Sequence, residues 1–259
     1  MRITRAYAIL CVTLAAFVAL PAAAEDFWFA AASDTHIRDE ASTEIVREAI
    51  AMINADERLA FSLWLGDITD RSTAEEMALA KSTLATLQRP WHPCRGNHDV
   101  KDGLYERHFG RLNYTFEHEG WTFIMLDSNG GRETLLDEAR MQWLRQQIAA
   151  IDSETPIVLC CHHPLMLGGV VPVAGTPEIL ELFDDHNLRA VLAGHIHINQ
   201  QHVVDGVLYT TAVCLATTRG NVDRDPRRGY RIFHCRDGEI TTQFVTVREI
   251  PEQQAPAAR

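Results

Sequence analysis

At 259 residues the chain has room for one large domain or two small ones, and its 46% hydrophobic content is ample for a sizeable core. With 23% charged residues and no low-complexity stretch, disorder throughout is excluded, as are collagen-like, coiled-coil and repeat-array organisations. The formal charge of −11 argues against a protein that grips nucleic acid through a broad basic face, so an anionic partner would need local positive charge.

The first 24 residues read as a leader. Arg2 and Arg5 precede an apolar run over residues 6–20, and Pro21-Ala22-Ala23-Ala24 ends in the small-x-small pattern that signal peptidase cuts. Cleavage after Ala24 is expected to release a still more acidic chain beginning at Glu25. The run is shorter than the roughly 20 residues that span a bilayer, and no later stretch approaches it. An exported protein, periplasmic or secreted and without a stable membrane anchor after cleavage, is the expectation. Cys94, Cys160, Cys161, Cys214 and Cys235 then remain, an odd number that cannot pair completely within the chain. Cys160 and Cys161 end an apolar strand, where cysteine behaves as a small buried hydrophobe; the alternative is a disulfide involving one of the five.

Residues 27–33 and 59–65 read as strands. Between them Ile45, Val46, Ala49, Ile50 and Ile53 recur on one helical face behind a Ser42 cap. A second helix opens with the capping box Ser72-x-x-Glu75, carries Met77, Ala80, Leu84 and Leu87, and leads to a short strand over 91–94. Residues 114–119 and 121–127 form a hairpin about Glu119-Gly120. Met141, Leu144, Ile148 and Ile151 define a third helix with a core-facing stripe, and 157–161 a further strand. Thr176, Pro177 and Glu178 start a fourth helix, and 189–193 is again a strand. From 202 to 247 the pattern is strand, with turns at Asp205-Gly206 and Asp237-Gly238. Strand-helix units followed by strands predict an α/β fold of two packed mixed sheets with helices outside. One domain is expected over 25–249, with a disordered tail over 250–259.

Polar clusters close five of the apolar runs. They are Asp34-Thr35-His36, Gly66-Asp67-Ile68-Thr69-Asp70, Gly96-Asn97-His98-Asp99, His162-His163-Pro164 and Gly194-His195-Ile196-His197. Ligands of open α/β sheets bind beyond the carboxyl ends of the strands, so these clusters should converge on one crevice. Residues two apart in extended chain project to the same side, which lets Asp34 with His36, and His195 with His197, each present two donors to one point. A carboxylate such as Asp67 can bridge two cations roughly 3.5 to 4 Å apart. Imidazole and carboxylate together suit iron, manganese or zinc. The glycines before Asp67, Asn97 and His195 let the backbone turn sharply and come close.

In this order the five motifs resemble the calcineurin-like metallophosphoesterase superfamily, over most of the chain from Asp34 to His197. The His-His-Pro form and the Gly-His-x-His ending are most similar to the branch that contains class III cyclic-nucleotide phosphodiesterases and glycerophosphodiesterases. The resemblance implies a four-layer α/β/β/α sandwich and a cofactor of two divalent or mixed-valence metal ions. Asp34, His36, Asp67 and His197 would hold the first ion; Asp67, Asn97, His162 and His195 would hold the second. His98 would contact the phosphoryl group or protonate the leaving alkoxide, after in-line attack by a metal-bridging hydroxide. Asp70 and Asp99 would orient neighbouring histidines and turns. His163 is left as a supporting residue, a substrate-facing one or a plain polar strand end.

The implied protein is a hydrolase of phosphoric esters, a phosphodiesterase or phosphatase acting on a small phosphorylated substrate. The alternative is a metal-binding interaction protein that keeps the fold without turnover, which seven intact ligands and His98 argue against. Export fits an intracellular cyclic-nucleotide role poorly, and an acidic chain fits a nucleic-acid polymer poorly. Loops 128–134 and 165–175 are the places for substrate contacts, with Arg132 read chiefly as a solvated loop arginine. His92, His108, His118, His186, His202 and His234 fall outside the motifs. Nothing in the sequence specifies an oligomeric state.

Overall fold

The structure, a computed structural model, describes residues 26–130, 135–167, 171–172 and 175–250. The expected leader, Arg132 and the tail from residue 251 lie outside the described residues. In chain order the strands are β1 (Phe27–Ala32), β2 (Leu59–Leu65), β3 (Trp91–Cys94), β4 (Tyr114–His118), β5 (Trp121–Leu126), β6 (Ile157–Cys161), β7 (Met166–Leu167), β8 (Val171–Pro172), β9 (Leu188–Ala193), β10 (Gln200–Val204), β11 (Val207–Thr211), β12 (Arg227–Arg236) and β13 (Glu239–Glu249). The helices are α1 (Glu44–Ala55), α2 (Ala74–Leu84), α3 (Leu104–Phe109), α4 (Glu138–Ala149) and α5 (Pro177–Leu180).

One sheet has the order β13-β12-β1-β2-β3 and the other β10-β11-β9-β6-β5-β4, with β7 and β8 forming a small ribbon. Both sheets are mixed: β1, β2 and β3 run parallel, as do β5, β6, β9 and β11, while β4, β10, β12 and β13 join antiparallel.

The strand period of two sorts their residues into separate layers. Phe27, Phe29 and Ala31 of β1 join Phe61, Leu63, Phe123, Met125, Val158, Cys160 and Phe233 in the layer between the sheets. Their neighbours Ala30 and Ala32 face outward, packing with Ile45, Val46 and Ile50 of α1 and Met77 and Leu84 of α2. On the other sheet Ile124, Leu126, Leu159 and Cys161 face outward onto Leu144 and Ile148 of α4 and Ile179 of α5. This is the expected four-layer α/β/β/α arrangement, and it explains why the central strands read as unbroken apolar runs: both faces are covered. All five described cysteines are free and buried, and Cys160 and Cys161 sit on opposite faces of β6.

Three local details differ from the sequence reading. The first capping residue is Asp39, whose carboxylate accepts from Ser42 N at 2.9 Å in a short 3-10 turn ahead of α1; the Ser42 hydroxyl reciprocates by accepting from Asp39 N at 3.0 Å. The capping box of α2 is Thr73 with Glu76, one residue later than Ser72 with Glu75. Ser72 has φ +55, outside the extended region an N-cap adopts, whereas Thr73 is extended. Ile250, assigned to the tail, is buried and donates its N–H to Pro226 O at 2.8 Å. The hairpin turns follow their sequence signals: Glu119-Gly120, Asp205-Gly206 and Asp237-Gly238 all place both residues at positive φ, as a type I′ turn requires.

At the end of β5 the buried carboxylate of Asp127 accepts from Arg95 Nη2 at 2.6 Å, from Arg140 Nη2 at 2.7 Å and from Asn129 Nδ2 at 2.8 Å. It therefore joins the residue after β3, the loop after β5 and helix α4.

Candidate metal centre

The five clusters follow β1, β2, β3, β6 and β9, whose parallel pairing within each sheet brings their carboxyl ends to one edge. Backbone hydrogen bonds continue past the strands and lace the loops together: Asp34 N donates to Gly66 O at 3.0 Å, His36 N to Asp67 O at 3.0 Å and Gly194 N to His162 O at 3.0 Å. Glycine is required at two of these approaches. A Cβ on Gly96 would stand 2.1 Å from Asp67 N, and one on Gly194 would stand 1.9 Å from Ser33 Oγ.

Asp34, His36, Asp67, His195 and His197 all have positive φ, between +42 and +69. This region is uncommon for residues other than glycine, and such strain gathers at functional sites.

The side chains meet in two groups that share a boundary. In the first, His197 Nε2 lies 3.2 Å from Asp34 Oδ1 and 3.3 Å from His36 Nε2, and His36 Nε2 lies 4.0 Å from Asp34 Oδ1. In the second, His162 Nε2 lies 3.3 Å from Asp67 Oδ1 and 3.1 Å from Asn97 Oδ1. Asp67 reaches both, because its other oxygen, Oδ2, is 3.8 Å from His36 Nε2. His195 joins the second group: one nitrogen from each of His162, His163 and His195 lies within 4.8 Å of the others. His195 N also donates to Asp34 Oδ2 at 3.0 Å. His98 edges onto His36 at a ring separation of 4.8 Å, and its main-chain N–H donates to Asp67 Oδ1 at 2.8 Å.

Main-chain carbonyls orient three of the imidazoles. His162 Nδ1 is 2.8 Å from Leu65 O, His197 Nδ1 is 3.2 Å from Gly220 O and His98 Nδ1 is 2.6 Å from Asp70 O. A donating Nδ1–H leaves the Nε2 lone pair free, the usual arrangement of a metal-binding histidine. Asp99 is fully buried and accepts from Ile68 N, Thr69 N, Thr69 Oγ1 and Gly96 N, between 2.8 and 3.1 Å. It therefore orients turns rather than histidines.

The donor set fits a cation. Asp34 Oδ1 is buried without a hydrogen-bond partner, although two imidazole nitrogens stand within 4.0 Å of it. Burial opposes charge on His162 and His197, yet Asp67 pushes His162 up to about 9, and Cys214 and Asp34 push His197 up to about 11. Burial also resists ionisation of Asp34 and Asp67, but the histidines hold both carboxyls below their ordinary value. Burial pushes His36 and His163 down to about 3. Carboxylates that draw protons onto buried imidazoles this strongly draw a metal ion for the same electrostatic reason.

Three residues at the site carry no motif signal. Arg219 donates from Nη2 to Asp70 Oδ1 at 2.8 Å and stands 3.4 Å from His98 Nδ1. Burial works against Asp70 ionising, but this guanidinium holds its carboxyl below the ordinary value. Ser128 Oγ is 2.8 Å from His163 Nδ1, giving His163 a supported position beside His195. Cys214 donates from Sγ to Asp34 O at 3.3 Å. The six histidines outside the motifs join no group of converging metal donors among the described residues; His92, for example, stacks on Phe116 with ring centroids 3.7 Å apart.

Fold and site together define a phosphoesterase, and the chain belongs to the calcineurin-like phosphoesterase family, whose sequence model matches residues 27–199. It is 22% identical over 245 residues to the "Probable cyclic nucleotide phosphodiesterase" of Rhodococcus erythropolis, covering 82% of this chain and 81% of that protein. It is 28% identical over 153 residues to the "Probable glycerophosphodiester phosphodiesterase GpdQ" of Arcobacter nitrofigilis, covering 52% of this chain and 55% of that one. Among solved structures, "GAP50 the anchor in the inner membrane complex of Plasmodium" superposes with a TM-score of 0.64 at 14% identity, covering 86% of this chain and 85% of the other, a likeness of fold. The family and the phosphodiesterase-named relatives make this chain a phosphoester hydrolase.

Proposed function

We propose that the chain is an exported dinuclear hydrolase of small phosphodiesters. Asp34, His36, Asp67 and His197 would hold one ion, and Asp67, Asn97, His162 and His195 the other. The observation that carries this reading is the Asp67 carboxylate, with Oδ1 at 3.3 Å from His162 Nε2 and Oδ2 at 3.8 Å from His36 Nε2. One carboxylate facing two imidazole groups is the arrangement a bridging ligand needs. Bound cations would supply positive charge opposite the phosphoryl oxygens and lower the pKa of water at that point.

The remaining work falls to the chain's own residues. Asp34 and Asp67 are the anionic donors, and the main-chain carbonyls at Leu65 and Gly220 keep the His162 and His197 rings turned toward them. His98 sits at the mouth with Nδ1 committed to Asp70 O, so its imidazolium form gives the Nε2 proton to the departing alkoxide and returns to the tautomer that Asp70 holds. Arg219 fixes the Asp70 side chain beside it. The names of the Rhodococcus and Arcobacter relatives both refer to small phosphodiesters, which supports that substrate class here. The chain's net charge of −11 disfavours a polymeric nucleic acid.

The test is metal removal by chelation followed by addition of manganese, with bis(p-nitrophenyl) phosphate assayed beside p-nitrophenyl phosphate. Manganese should restore hydrolysis, with the diester favoured. Two bound ions without turnover would establish the non-catalytic alternative instead. For export, amino-terminal sequencing of protein from the native cells should begin at Glu25 in the periplasmic or secreted fraction, and a cytoplasmic chain beginning at Met1 would overturn that part.

A further inference from the structure

Every donor named so far is a hard or intermediate one, oxygen or imidazole nitrogen. One soft donor lies against them. Cys214 is fully buried, past the end of β11, and its Sγ is 3.3 Å from the backbone oxygen of Asp34. One nitrogen of His36, one nitrogen of His197 and the Cys214 sulfur all lie within 4.8 Å of one another. The position is fixed from a second side, because Cys214 N donates to Asn221 Oδ1 at 3.0 Å, and Asn221 is itself held by its Nδ2 on Asp225 O and Arg227 O, both at 2.8 Å. Independently of the thiol, Asp34 Oδ1 is buried without a hydrogen-bond partner, 3.2 Å from His197 Nε2. Two imidazoles and a thiol in so small a volume, with the Asp34 carboxylate 3.2 Å from the His197 ring, make a donor set that thiophilic ions select, whereas manganese and magnesium prefer oxygen.

We infer that Cys214 is a further ligand for a thiophilic cation at the Asp34–His36–His197 position. Cys214 would ligate zinc or cadmium there as the thiolate, giving up its Sγ proton to solvent on binding. Manganese at the same position would be held by the oxygen and imidazole donors without the sulfur. The chain thus has a metal-dependent choice of ligands at one of its two positions. This inference rests on the dinuclear reading above.

The experiment uses the full chain, reduced and metal-stripped, titrated with cadmium alone while the ultraviolet cadmium–thiolate charge-transfer band and bound cadmium are followed together. The band should grow in step with binding and saturate. C214S should bind cadmium with the band lost, and C94S, altered at a thiol in the layer between the sheets, should keep it. Cobalt added to the wild-type chain should give the corresponding thiolate band, a measurement that depends on no variant folding. Cadmium bound to the wild type without the band, a band that survives in C214S, or cobalt bound without its thiolate band would each overturn the assignment while leaving the dinuclear centre standing. A wild-type chain that binds no cadmium would remove both.

Discussion

Eleven described non-glycine residues have positive φ, and two sets of them differ in purpose. Glu119, Asp205 and Asp237 sit in hairpin turns, each followed by a glycine that is also left-handed. There the backbone requirement comes first, and Asp-Gly satisfies it at little cost. Asp34, His36, Asp67, His195 and His197 sit at the ends of central strands, four of them without an adjacent left-handed glycine to absorb the turn. Here the side-chain chemistry comes first and the backbone carries the strain, on the order of 1–3 kcal/mol per residue. Similar dihedral angles therefore report turn formation in one place and donor placement in the other.

The comparison can be broken most directly at Asp67. Asp67→Ala removes the carboxylate shared by both groups, and steady-state hydrolysis of bis(p-nitrophenyl) phosphate with manganese should fall about 10⁴-fold or more, as loss of several kcal/mol of charge stabilisation requires. Retained turnover would mean that strain at this strand end does not mark function. His98→Ala should cost turnover roughly 10² to 10⁴ with both ions still bound by elemental analysis, the range expected for a lost acid. Unchanged turnover in the metal-replete variant removes that role.

At the hairpin the effect should appear in stability alone. Asp237→Val forces a β-branched residue to hold φ near +51 and should destabilise by about 1–2 kcal/mol in a denaturant titration. Asp237→Gly should lie close to wild type, and hydrolysis should be unaffected in both.

A histidine away from both sets gives the smallest effect. Burial, with a further push from His118, lowers His92 from 6.5 to about 4. The unfolded chain therefore takes up this proton before the native one does. The stability contributed by neutral His92 is complete above pH 6.5 and is lost as pH falls toward 4, by about 1 kcal/mol once the ring's partial exposure is allowed for. His92→Phe should flatten the unfolding free energy across that window, and an unchanged slope would assign it to other groups.

Much of this was legible before any coordinates. The five polar clusters announce themselves because each closes a run of strand residues, and the Asp-Gly turns are set by two adjacent residues. The expected site residues do gather, since parallel strands in one sheet bring their ends to a common edge. The capping boxes were harder: one residue's difference at Ser72 and Thr73 depends on which of them is extended. Helix α3 has only six residues between Gly103 and Gly110, too few to show a period. Arg219 and Cys214 were invisible as site residues for a different reason. They reach His98 and Asp34 across 121 and 180 positions of sequence, and only the closure of the sheets makes them neighbours.

The clasp at Asp127 has a mechanical consequence. Arg95 immediately precedes the loop of Asn97 and His98, and Arg140 belongs to a helix outside the other sheet, yet one dry carboxylate grips both. That grip spans the sandwich, riveting one sheet's rim to the opposite outer wall. Amide exchange at Asn97 and His98 should accordingly keep pace with that of α4, and salt, excluded from so dry a joint, should scarcely loosen it.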